Sequence, residues 1–313
     1  MKAENNKSTY ALITGASSGI GYELAKLFAS DGYNLVLVSR SGERLQQVAD
    51  ELGQHSTVDI IPLAKDLFNS NAASEIYNTV KQKGIEVEFL VNDAGQGEWG
   101  KFTDIELKRS LDIIQLNIIS LVSLTKYFLN DMIANNRGRI LQLGSEAGKM
   151  PMPLLSIYAA TKAFVVSFGE ALANELQDTN ITITVLLPGA SDTDFFHKAH
   201  AENTVTYKEQ KLAPAEDVAK DGYEAMMSGE SSVISGTRTK MNVFKSKLMS
   251  DESNAASSRN VMEPSDEIEP KGRVRSDHAP SRAAREHINQ TTGGESGDYS
   301  TTSSSSGSSA KYI

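Results

Sequence analysis

The apolar run Tyr10 to Thr14 passes directly into Thr14-Gly15-Ala16-Ser17-Ser18-Gly19-Ile20-Gly21, and a helical pattern follows at once. That order constrains the fold more than any other feature of the chain. Glycine permits a tight turn and a close backbone approach, while the next helix offers free N–H groups and the positive end of its dipole. A pyrophosphate suits such a loop, with Gly15, Gly19 and Gly21 as its glycines and Ser17, Ser18 and Ile20 completing the turn.

Further apolar, β-branched runs recur at Leu35 to Ser39, Thr57 to Pro62, Phe89 to Asn92, Arg139 to Gly144 and Ile181 to Pro188. Between them, Ile20 to Ser30, Glu43 to Leu52 and Ala72 to Lys83 repeat their apolar residues at helical spacing. A seventh strand is expected near Ser232 to Ser235, after a helix that Pro214 opens and Ala215 to Met227 carry. Alternating strands and helices with right-handed crossovers predict an α/β, doubly wound, Rossmann-type fold with a mostly parallel seven-stranded sheet.

In such a fold the end of the second strand meets the adenosine ribose, where a carboxylate selects a free 2'-hydroxyl and an arginine accepts a 2'-phosphate. Ser39 and Arg40 stand there with no acid, so NADP is expected in preference to NAD. Arg44, one turn later, either assists or faces water.

Composition changes near Asp251, beyond which Ser, Gly, Pro and charged residues dominate to Ile313. Residues 1–250 are therefore read as one dinucleotide-binding and catalytic domain, and 251–313 as a disordered tail whose removal leaves folding and cofactor binding nearly unchanged. Ser303 to Ser306 adds nothing to a core, and Ser281 to Asn289 is the one stretch there with the character of a short helix formed on a partner. The net charge of -9 is not gathered into a basic stripe, so nucleic acid is not an expected partner. The absence of cysteine excludes thiol chemistry and suits a reducing compartment, so a cytoplasmic location is expected. Met1 to Tyr10 lacks the apolar core of a signal peptide, and no run is read as reaching the roughly 18 apolar residues of a membrane span. No membrane partner is expected.

Tyr158 and Lys162 lie four apart in a segment with helical periodicity, which puts them on one face. A phenol of reference pKa about 10 becomes a useful proton-transfer group near neutrality only when a nearby cation favours its anion, and Lys162 is the candidate cation. Together with the glycine motif, Asn92-Asp93-Ala94-Gly95, Ser145 at the end of the fifth apolar run and Pro188-Gly189 after the sixth, this pattern resembles the short-chain dehydrogenase/reductase family over about Ser8 to Lys247. The family's Asn-Asn-Ala-Gly element carries Asp93 in place of its second Asn.

The resemblance implies that Ser145 hydrogen-bonds the substrate oxygen, Tyr158 transfers the proton, Lys162 holds the nicotinamide ribose and lowers the tyrosine pKa, and Asn117 anchors a relay water. It further implies that Asp66 contacts adenine, that Asn92, Ala94, Gly95, Pro188 and Gly189 lie along the cofactor, and that Thr193 contacts the carboxamide. Hydride transfer between NADPH and a small-molecule carbonyl, or the reverse alcohol oxidation, is the implied reaction, in a homodimer or homotetramer. Met150, Met152, Leu154, Leu155, Phe195 and Phe196 are read either as an apolar substrate wall or as core packing, which look alike in one sequence. A non-catalytic NADP-binding regulator of the same fold is the alternative. A serine hydrolase is disfavoured because Leu143-Gly144-Ser145-Glu146-Ala147 is not a G-x-S-x-G elbow, and the five histidines show no metal-ligand spacing.

Overall fold

The protein is described here by a computed structural model covering residues 9–265. Ser281 to Asn289 and Ser303 to Ser306 lie outside those residues. Strands β1 (Thr9–Thr14), β2 (Asn34–Ser39), β3 (Ile60–Ala64), β4 (Glu86–Asn92), β5 (Gly138–Leu143), β6 (Ile181–Leu187) and β9 (Ser232–Ile234) form one sheet in the order β3-β2-β1-β4-β5-β6-β9. Every pairing in it is parallel. The short strands β7 (Ser191–Asp192) and β8 (Ala213–Pro214) pair separately above it.

Strand side chains alternate between two apolar layers, the expected state of a parallel sheet covered on both faces. Ile13, Leu35 and Leu37 pack with α1 (Gly19–Ser30), α2 (Gly42–His55) and α9 (Ala215–Ser228), around the aromatic cluster of Phe28, Tyr33, Phe89 and Tyr223. Leu12, Val36 and Val38 face α3 (Ala72–Gln82), α5 (Leu121–Asn135) and α6 (Ser156–Glu175), where Ile76, Phe128 and Leu176 are buried. Each such side chain contributes roughly 1.5–3 kcal/mol.

Two strands start three residues away from the sequence expectation. Strand β3 begins at Ile60 rather than Thr57, because the Asp59 backbone N–H is taken by the Asn34 side chain and pairing with Leu35 starts one residue later. Pro62 is tolerated because β3 is an edge strand. Strand β4 begins at Glu86, three residues early, since Glu86 and Glu88 alternate outward and pair with Arg137.

The run Leu107–Asn135 is, by length and composition, apolar enough to cross a membrane, which departs from the expectation that no segment is. It comprises α4 (Leu107–Ile114), a π-helical segment Gln115–Ser120 and α5, and its Leu124, Phe128 and Met132 are buried against the sheet. The core takes up part of that apolarity, while Leu107, Leu111, Ile119 and Ile133 stay exposed.

The expectation of disorder from Asp251 is corrected for residues 251–265, and the rest of that tail lies outside the described residues. Helix α11 (Asp251–Met262) follows α10 (Thr237–Leu248) and is capped by the Ser250 hydroxyl, which accepts from Ser253 N–H. The Asn254 side chain donates to the Ser246 carbonyl, the Thr206 hydroxyl donates to the Val261 carbonyl, and Trp99 Nε1 donates to the Met262 carbonyl at 2.8 Å. Buried Asn254, Ser258 and Met262 form its inner face, so the helix docks through small and polar residues and leaves no apolar period to read. Because Trp99 is the only tryptophan, removal of residues 251–313 is expected to red-shift its emission and to lower stability by roughly 2 kcal/mol or more. Unchanged fluorescence and an unchanged urea midpoint in the truncated chain would contradict this docking.

Candidate active site

The sheet order reverses between β1 and β4, and the strand ends around that point open into a cleft of about 830 Å³. Gly15, Ser17, Ser18, Gly19 and Ile20 line it from the loop between β1 and α1. Gly15 and Gly19 have φ values of +74° and +60°, which favour glycine. A Cβ on Gly19 would also lie 3.1 Å from Thr193 Cγ2, so the loop and the Thr193 segment face each other closely. Arg40 and Asp66 line the far end, with the Arg40 guanidinium 5.3 Å from the Phe68 ring centre. Asp66 Oδ1 accepts from Phe68 N–H and so shapes the turn after β3. The Ser39 hydroxyl at this end is buried with no hydrogen-bond partner. Arg44 does not simply face water, because its Nε donates to the Ser17 carbonyl behind the glycine loop.

At the other end, Ser145, Tyr158 and Lys162 line the cleft together with Pro188, Gly189 and Thr193. Tyr158 and Lys162 lie on the first turns of α6, while Ser145 is delivered by β5 and held where its Oγ accepts from Ala147 N–H. Lys162 Nζ donates to the Leu143 carbonyl at 2.6 Å and stands 5.7 Å from the Tyr158 ring centre. The Phe195 ring lies 4.8 Å from that of Tyr158, and Met150, Met152, Leu155 and Phe196 continue the apolar wall. Leu154, also expected there, turns its backbone to φ +66° and gives its carbonyl to Gly100 N–H.

Three expected site residues stand behind the cleft. Asn92 is buried in the sheet, where its Nδ2 donates to Thr125 Oγ1 and Gln142 Oε1, because the last side chain of β4 points beneath α5. Gly21 serves packing: a Cβ there would lie 2.6 Å from Asp93 Oδ2 and 2.7 Å from the Gly15 carbonyl. Asn117 sits in the π-helical segment, a geometry often found at functional sites, and its amide bonds Gln96 N–H, the Gln96 carbonyl and Thr161 Oγ1. Those bonds, with Arg109 donating to the Gly97 carbonyl, fix the Ala94-Gly95 wall of the cleft.

Burial dominates the electrostatics. It pushes the Tyr158 phenol up to about 12, with the Ser145 hydroxyl pulling it down and the carboxylates of Glu146 and Asp93 raising it further. Lys162, which the resemblance casts as the cation that lowers the phenol, is itself pushed down to about 8 by burial, and its Nζ donates to the Leu143 carbonyl. Asp93 is pushed up to about 7 by burial, against Lys162 and the Gly21 N–H, which favour its anion.

Sequence reasoning missed Glu146 and the helix that holds it. Glu146 Oε2 accepts from Asn242 of α10, and burial raises its pKa. Arg238, Lys245 and Met249 bring that helix into the cleft wall, and Asn254, Ser258 and Met262 bring α11. A polar residue directly after Ser145 carried no signal of its partner about a hundred positions away.

The cleft fits a dinucleotide on its own features: a cradle that Cβ atoms would fill, an unpaired Ser39 hydroxyl near Arg40, and a lysine beside the tyrosine. The short chain dehydrogenase family profile matches residues 9–204. The chain belongs to that family and is an oxidoreductase acting on CH–OH or C=O groups. It is 32% identical over 250 residues to the uncharacterized oxidoreductase YvrD of Bacillus subtilis, covering 74% of this chain and 94% of that protein. It is 34% identical over 192 residues to the very-long-chain 3-oxoacyl-CoA reductase of Mycosarcoma maydis, covering 59% of this chain and 54% of the relative. Its fold matches a short-chain dehydrogenase from Sphingobium yanoikuyae in complex with NADPH at a TM-score of 0.68 and 26% identity, covering 77% and 93% of the two chains.

Asp93 generates a stability prediction. Its folded pKa lies above its ordinary value, so between about pH 4 and 7 the folded chain binds the extra proton and stability declines as pH rises, reaching full cost above about 7. Asp93→Asn keeps an acceptor for Gly21 N–H and removes the charge. The variant is expected to be more stable than the parent at pH 8, by on the order of 1–3 kcal/mol, and equal to it near pH 4. Parallel urea curves at the two pH values check this, and an equally destabilised variant at both would oppose it.

Proposed function

We propose that the protein is an NADPH-dependent reductase of an apolar ketone or aldehyde, and catalyses the reverse oxidation of the alcohol. The observation that carries this reading is the geometry of one cleft, whose lining brings the Ser145 and Tyr158 hydroxyls and Lys162 together with the glycine loop of Gly15 and Gly19. The cofactor supplies the hydride. As a carbonyl carbon gains it, negative charge develops on the oxygen, and two hydroxyl donors aimed there stabilise that charge. Tyr158 then gives its proton to the oxygen. Ser145 holds the oxygen in place and, by favouring the phenolate, eases the proton's departure. Lys162 is held by the Leu143 carbonyl where it can bind a ribose hydroxyl, and Asn117 keeps the facing wall rigid.

Arg40 supports NADPH over NADH, since it lines the cleft where the 2'-substituent would lie and the Ser39 hydroxyl beside it lacks a partner. Phe195, Phe196, Met150 and Met152 support an apolar substrate. The name of the Mycosarcoma maydis relative, a reductase of very-long-chain 3-oxoacyl-CoA, is consistent with that wall. Self-association as a homodimer or homotetramer belongs to the same reading, because α4, the π-helical segment and α6 leave Leu111, Ile119 and Phe164 exposed.

Replacing Tyr158 by Phe removes one hydroxyl and keeps the ring. Reduction should fall at least about a hundredfold while NADPH affinity persists, and near-parental turnover would end the proposal. Because burial holds the phenol above its ordinary value, the parent's reduction rate should stay level through neutral pH, and alcohol oxidation should keep rising on the alkaline side. Arg40→Ala should weaken NADPH binding by about tenfold or more and leave NADH binding nearly unchanged. Equal binding of the two cofactors by the parent would overturn the cofactor assignment.

A further inference from the structure

Helix α10 carries three large apolar side chains in the open, with Met241 50%, Phe244 63% and Leu248 73% exposed. Spaced three and four residues apart, they form one strip along the helix. At 3.6 residues per turn, Lys240 and Lys247 fall on one side of the strip, and Arg238 and Lys245 on the other. Arg238 and Lys245 also line the catalytic cleft, so the second rim of the strip is the rim of the cleft mouth. The remaining face, Thr239, Val243 and Ser246, is buried against the fold.

Charge selects the occupant. Residues 231–250 hold these four cations and no Asp or Glu, in a chain whose net charge is -9. None of the four forms a direct ion pair among the described residues, although Arg238 lies near enough to Glu146 to favour its anion. A twofold contact of the strip with a second copy would set four cations against four, which is unfavourable. An apolar strip between two cationic rims instead matches the boundary of a bilayer, where acyl chains lie beneath anionic headgroups and lysine stems reach up to them.

We infer that α10 docks this protein reversibly on an anionic lipid surface, with the mouth of the catalytic cleft turned toward the bilayer. A carbonyl compound dissolved in the bilayer would then enter the cleft past Met249 without crossing water. That entry route rests on the reductase reading, whereas the docking does not.

The test is cosedimentation of the full chain with vesicles of phosphatidylglycerol or of phosphatidylcholine, without cofactor or substrate. The expected result is binding at least about tenfold stronger to phosphatidylglycerol, weakened by high salt. Phe244→Ser with Leu248→Ser, and separately Lys240→Glu with Lys247→Glu, should each reduce that binding by about tenfold or more. Both pairs lie outside the cleft wall, so melting temperature and turnover of a water-soluble ketone should be unchanged. Absence of vesicle binding, or binding that neither pair affects, overturns the proposal. So does a parent dimer that the Phe244→Ser and Leu248→Ser pair converts to monomer, since that assigns the strip to a second copy. Vesicle binding by a chain that reduces no carbonyl would sustain the docking and count against the reductase reading alone.

Discussion

The ends of β1 and β4 approach so closely that the site depends on glycine's lack of a side chain at Gly15 and Gly21. A Cβ on Gly15 would meet Asp93 Oδ2 at 2.6 Å and the Ala94 backbone nitrogen at 3.1 Å, and one on Gly21 would meet the same carboxylate. Across this seam the Thr14 hydroxyl donates to the Val91 carbonyl and accepts from the N–H groups of Asp93 and Ala94. The loop after β1 and the wall after β4 are thus one unit, and a bulkier residue in either would push both apart. Everything else in the cleft is placed relative to that joint.

Burial, rather than pairing of opposite charges, governs the chemistry beside it. Lys162 loses water and gains a single carbonyl, which moves its pKa toward neutrality, and Tyr158 moves in the opposite direction. Both shifts favour the uncharged form, as desolvation requires. Ser145 is the neighbour that favours the phenolate.

The two helices after the last strand complete the cleft and connect it to the surface. Asn242 of α10 holds Glu146, the residue after Ser145, and α11 closes the opposite side through Met262 and its bond from Trp99. The same α10 that reaches the catalytic floor with one face presents apolar residues and cations with another. Substrate access and surface attachment therefore share one element, and a shift of α10 on binding would be felt at Glu146.

By itself the sequence determined the alternation of strands and helices, the glycine loop, Ser145, Tyr158 and Lys162, because each depends on local order or short spacing that survives without a fold. It also marked Arg40 by its place at the end of the second strand, and Asp66 through the family resemblance. Only the tertiary structure decided that Asn92, Gly21 and Asn117 brace the cleft from behind, since the direction of a side chain at a strand or helix end depends on what packs above it. Only the fold joined Glu146 to Asn242, across 96 positions, and docked a serine-rich helix that has no apolar period. The tyrosine's pKa lay beyond the sequence for the same reason. Spacing puts Lys162 beside Tyr158, but how much water each group loses is set by the whole of the surrounding fold.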